Sequence, residues 1–171
     1  VALETVFVTS ASGEASVPRL QSNISTSLAE GAFVDFSPRL LNSTDRDTTQ
    51  ASHMVYSVLA PPKHGTLTHG TEAKPFMGNF TQADIDARWL RYTHDGSETV
   101  ADAFNFTVSD FAGNAIGAQT FYFSVADVND NDPLFGETSF TFKIAETFAV
   151  GGDIGSLPVS DVDSSNSGIT L

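Results

Sequence analysis

The chain reads as an all-β protein whose short strands stack into a sandwich. Three observations predict this. Apolar and polar residues alternate in several runs, as they do in a strand with one buried face. Glycine, proline, aspartate and serine punctuate those runs at short intervals. Helical periodicity is nearly absent, and many short strands separated by turns argue for a sandwich.

The clearest run is 103–109, where Phe104, Phe106 and Val108 share one face and Asn105, Thr107 and Ser109 the other. Residues 119–125 repeat the scheme with Phe121, Phe123 and Val125, and 139–145 with Phe140, Phe142 and Ile144. Shorter strands are expected at 5–8, 24–28, 33–36, 54–59, 65–68 and 90–93. The one helix signal is Thr81 followed three residues later by Asp84, which predicts a single capped turn. Fourteen phenylalanines supply core volume. A sandwich of about 110 residues buries enough apolar surface to fold without disulfides.

A length of 171 residues fits one full domain plus part of another. The absence of an initial Met, and an end at Ile169-Thr170-Leu171 in what reads as a starting strand, suggest a piece of a longer protein. Net charge is −13, mostly from aspartate, which favours turns and compact oxygen sites. Such a chain repels phosphate backbones and anionic membrane surfaces, so a nucleic-acid partner is excluded. Plain solubility explains the charge equally well. With no cysteine there is no disulfide, thiolate metal site or cysteine nucleophile. No apolar run approaches membrane-spanning length, so any membrane attachment would come through a segment outside this sequence. The four histidines lack His-x-x-x-His spacing, and there is no Gly-x-Ser-x-Gly elbow, so a non-enzyme is expected. Four Asn-x-Ser/Thr sequons, at Asn23, Asn42, Asn79 and Asn105, hint at a secreted eukaryotic chain.

The run Asp127-Val128-Asn129-Asp130-Asn131-Asp132-Pro133 carries the functional signal. Five of its seven residues offer side-chain oxygens. Calcium takes six to eight oxygen ligands from carboxylates, amides and backbone carbonyls. In an extended chain Asp127, Asn129 and Asn131 face one way and Asp130 and Asp132 the other, so the segment can serve ions on two sides. Pro133 keeps Asp132 extended. A solvated acidic linker is the competing reading.

This run resembles the linker between successive cadherin repeats, where linker and flanking domains share calcium ions. Ala145-Glu146-Thr147 resembles the early glutamate of the following repeat, and Asp161-Val162-Asp163 with Asn166-Ser167-Gly168 resembles the residues that close such a site from below. The gap from Asp163 to Asn166 is short for that family.

A second resemblance runs through 61–67, 80–85, 90–98 and 102–110, and is to the chondroitin sulfate proteoglycan repeat, a cadherin-like module. Leu28-Ala29-Glu30-Gly31 fits its start and Asp45-Arg46-Asp47 its early acidic pair, here read as a solvated turn.

The resemblances imply cadherin-like (immunoglobulin-like) Greek-key β-sandwich repeats in tandem. Residues 1–17 would end a preceding repeat, 18–126 form one module, 127–133 the linker and 134–171 the start of another. They imply calcium as cofactor, with Glu30, Asp95 and Glu98 above, Asp127, Asn129, Asp130 and Asn131 in the linker, and Asp161, Asp163 and Asn166 below. Asn131 is expected to use its backbone carbonyl, and the Asp95-Gly96 segment also reads as a polar turn with Gly96 at positive φ. The implied function is calcium-dependent adhesion or matrix architecture outside the cell, with other adhesion or matrix proteins, including copies of itself, as partners. Spacer repeats of a microbial adhesin or of a larger surface enzyme are the alternative.

Overall fold

A computed structural model describes residues 16–71 and 74–163. In chain order the strands are β1 (Arg19–Asn23), β2 (Thr26–Ala29), β3 (Phe33–Asp35), β4 (Leu41–Thr44), β5 (Val55–Ala60), β6 (Gly65–His69), β7 (Asn79–Thr81), β8 (Leu90–His94), β9 (Ala101–Ser109), β10 (Gln119–Ala126), β11 (Leu134–Phe135) and β12 (Val159–Ser160). A short helix, α1 (Gln82–Asp86), follows β7. It is the expected capped turn: the Thr81 hydroxyl accepts from the Asp84 N–H while the Asp84 carboxylate accepts from the Thr81 N–H.

Two sheets form the sandwich. One has five strands in the order β2-β10-β9-β5-β7, the other three in the order β3-β8-β6. β1 pairs only with β4, and the Ile24 N–H goes to the Leu40 carbonyl before the chain crosses to pair β2 in parallel with β10. That crossing is why the strand expected at 24–28 starts at Thr26. The inward residues of 103–109 and 119–125 are buried as the alternation requires.

Aromatic side chains join the sheets. Phe36 meets Phe104, Phe121 and Phe123 at centroid distances of 5.9, 4.9 and 6.2 Å, and Tyr92 stacks on Phe123 at 3.7 Å. Gly65 is required beneath this layer, since a Cβ there would lie 2.4 Å from the Tyr92 ring.

Residues 139–145 are not a strand, contrary to their alternation. Phe142 and Ile144 are exposed, and among the described residues no strand lies alongside to complete a ladder. Alternation creates an apolar face, but a lone strand leaves its backbone unpaired. The strand expected at 5–8 lies outside the described residues.

Two buried polar networks were not foreseen. Asp102 is buried and accepts from the Lys63, His64 and Ala103 N–H groups and from the Tyr92 hydroxyl. The Tyr56 hydroxyl meets Ser43 Oγ and Gln82 Oε1, each at 2.7 Å. Burial pushes both tyrosine hydroxyls above their ordinary range. Asp102 ties the turn before β6 to β9, and removing it would strand several buried donors. Asp102→Ala is therefore expected to lower the unfolding free energy by about 3 kcal/mol in equilibrium denaturation, without changing the denaturant slope.

Candidate metal centre

The centre forms where β2 and β10 end together. Ala29 pairs with Ala126, and the Glu30 N–H donates to the Ala126 carbonyl at 2.9 Å. Glu30 thus sits beside the start of the acidic run. It is only 7% exposed, and its Oε1 accepts no hydrogen bond among the described residues. An unsatisfied buried carboxylate oxygen is costly and needs a partner.

Glu98 comes from the β8–β9 loop. His94 anchors that loop: its Nδ1 accepts from the Gly31 and Gly96 N–H groups at 3.3 and 3.2 Å, and its Nε2 meets Thr99 Oγ1 at 2.9 Å. Two acceptor contacts at Nδ1 place the ring proton on Nε2. The same imidazole therefore holds the turn after Glu30 and the loop that carries Glu98. Gly96 has φ +79°, as the turn reading expects.

From below, β11 and β12 pair antiparallel and bring residues 161–163 against the linker. Asp163 is buried, and its carboxylate accepts from the Asn131 N–H at 3.0 Å. Asp161 accepts from the Asp163 N–H.

Two carboxylate groups result, Glu30 with Glu98 and Asp130, and Glu98 with Asp127 and Asp163. In each, one oxygen from every residue lies within 4.8 Å of the others. Glu98 belongs to both, so the groups adjoin. The Asn131 amide lies between them and donates to Glu98 and Asp163 at 2.8 Å and to Asp130 at 3.1 Å. Burial first, then the charges of Glu98, Asp130 and Asp127, pushes the Glu30 carboxyl above the usual glutamate range, against the Val128 N–H. The donor set is all oxygen, which suits a hard cation such as calcium. The buried, unpartnered Glu30 oxygen is the observation that fits these residues to one.

The structure does not bring every expected residue into these groups. The Asp95 carboxylate accepts from the Ser97 N–H and hydroxyl within its own turn, and these bonds hold its pKa low. Asn129 is exposed on the linker. Asp161 orients Asp163 through its N–H. Asn166 lies outside the described residues. At the opposite end, Asp45 accepts from the Asp47 and Thr48 N–H groups and from the Ser16 hydroxyl, in a turn away from the cluster. His94 was legible only as a structural hydrogen bonder; its link between two ligand-bearing turns depends on a contact across 63 residues.

A Greek-key sandwich whose last strand runs into an all-oxygen cluster defines a cadherin-like module. The sequence profile of the family described as Cadherin-like matches residues 18–144, and the chain belongs to that family. Among individual relatives, it is 30% identical over 133 residues to human extracellular matrix organizing protein FRAS1, covering 77% of this chain and 3% of that protein. Over 138 residues it is 30% identical to human chondroitin sulfate proteoglycan 4, covering 77% of this chain and 6% of that one. Bovine cadherin-5 is 31% identical over 153 residues, covering 87% of this chain and 16% of the relative. The chain therefore spans a small part of these proteins. In fold it is similar to mouse cadherin-23 EC22-24, with a TM-score of 0.58 at 20% identity over 88% of this chain and 46% of that one.

The raised Glu30 pKa has a definite sign. The folded state holds that proton more tightly than the unfolded chain, so ionisation at neutral pH penalises folding. In chelator, the stability linked to Glu30 is fully present below the usual 4.5 and lost as pH rises through the elevated folded value. Melting curves against pH should show this decline in the native chain and lack it in Glu30→Gln, which should melt higher at neutral pH. Parallel curves for the two proteins would refute the assignment.

Proposed function

We propose that this chain is an extracellular adhesion or matrix module whose acidic junction is a calcium-set joint. The observation that carries the reading is the buried, unpartnered oxygen of Glu30, whose carboxylate lies in one group with those of Glu98 and Asp130. The relatives' names place them in the extracellular matrix and among proteoglycans and cadherins, and an extracellular location suits millimolar calcium.

In this reading residues 18–126 are one module, 127–133 the linker and 134–171 the beginning of the next. Glu30 and Glu98 serve from above, Asp127 and Asp130 from the linker, and Asp163 from below. Asp161 acts as a positioning residue by fixing the Asp163 backbone. Asn129 and Asn166 would add amide oxygens, and Asp95 braces its turn. A bound divalent cation supplies the positive charge that lets these carboxylates stay ionised side by side. Without it, Glu30, Glu98, Asp127 and Asp130 repel one another, and the Asn131 amide is left to compensate for Glu98, Asp130 and Asp163. The outcome is mechanical: a joint that stiffens as calcium rises and presents a fixed geometry to matrix or adhesion partners, including further copies of the same protein. No step of this function calls for catalysis.

Calcium at millimolar concentration is expected to raise the melting temperature over that in chelator, because ligand binding to the folded state alone stabilises it. Asp130→Ala should abolish the gain. Glu30→Gln should weaken calcium binding, read by titration calorimetry, by about tenfold or more. An unchanged melting temperature in the native chain at saturating calcium would return the junction to a solvated acidic linker.

A further inference from the structure

Two of the four sequons meet on one surface. β9 and β5 carry Thr107 opposite Ser57, and Ser57 is in turn opposite Asn79 on β7. Asn105 lies two residues along β9 from Thr107 and is paired with Thr120 on β10. Asn79 and Asn105 therefore share the outer face of the five-stranded sheet, roughly 12 Å apart from strand spacing and rise. Both are exposed. Asn105 accepts from the Thr120 hydroxyl through Oδ1, while its amide nitrogen donates to no group among the described residues. At Asn23, by contrast, the amide nitrogen is tied to the Thr120 carbonyl at 3.0 Å, and Asn42 is half-covered. Tyr122 stands on the same face, 60% exposed, diagonal to Asn105 across the β9–β10 pair. Diagonal neighbours lie about 7–8 Å apart, within reach of a sugar ring. The calcium joint leaves this exposed aromatic unexplained.

We propose that Asn79 and Asn105 carry N-linked glycans and that the glycan on Asn105 packs over Tyr122. The donor is a polyprenyl-diphosphate-linked oligosaccharide. The asparagine amide nitrogen bonds to the sugar C1, the C1–oxygen bond to the diphosphate breaks with its electron pair, and one amide proton is lost as the polyprenyl diphosphate departs. Asn79 lies on β7, the edge of the five-stranded sheet. A glycan there blocks strand addition to an otherwise open edge. The pair makes this broad face a shielded, non-pairing one. Partners are then left to the three-stranded face or to the ends of the sandwich. The inference rests on the extracellular reading but not on the calcium joint, so calcium-dependent melting and glycan occupancy succeed or fail separately.

The test uses the chain secreted from animal cells and released from its glycans by peptide-N-glycosidase in heavy-oxygen water. Mass spectrometry is expected to find labelled aspartate at 79 and 105; unmodified asparagine at either position in the secreted protein overturns the proposal. Deglycosylation should also lower the melting temperature by a few degrees in the native chain and leave Tyr122→Ala unmoved. An equal fall in both, or none in either, overturns the packing on Tyr122. Asn105→Gln, made without the glycan, should melt with the deglycosylated native chain, which separates loss of sugar from loss of fold.

Discussion

The parallel register of β2 on β10 is the constraint from which the junction follows. Pairing Ala29 with Ala126 ends both strands at the same level. The next residues are Glu30 on one strand and Asp127 on the other. A shift of one residue would turn Leu28 out of the core and swing Glu30 away from the linker. Burial of Leu28 and Val125 therefore holds an ionisable carboxyl where ionisation is unfavourable. The apolar core supplies the free energy that keeps an acidic cluster assembled, and the cluster is strained because the core does not yield.

His94 and Asn131 distribute that strain. His94 is buried and joins the Gly31 turn to the loop carrying Glu98, so one imidazole ties together the turns that bear the two upper carboxylates. Asn131 reaches Glu98 above and Asp163 below with a single amide. A neutral donor satisfies oxygen lone pairs but cancels no charge, so the carboxylates still repel one another. This difference between hydrogen-bond satisfaction and charge compensation is what the proposed calcium joint rests on.

The buried networks away from the junction serve the platform. Asp102 binds the β6 approach to β9, and Gln82 with Tyr56 and Ser43 binds α1 to β4 and β5. Each satisfies donors that the sandwich closes off from water. Asp102, bonded to the Tyr92 hydroxyl, also ties β9 to β8 at the base of the loop between them.

Local pattern alone determined the strands of alternating residues at Phe104–Val108 and Phe121–Val125, the capped turn at Thr81, the aspartate-asparagine run and the turn at Gly96, because each depends on neighbours a few residues apart. Family likeness extended that reading to Glu30, Glu98 and Asp163. Tertiary structure decided which carboxylates meet. It gathered Glu30, Glu98, Asp127, Asp130 and Asp163, turned Asp95 into its own loop, and denied a strand to residues 139–145. The reason is physical. Alternation specifies a face, but register, burial and the presence of a pairing partner are set by residues far away in the chain, and a carboxylate's character follows from the charges and solvent those contacts bring to it.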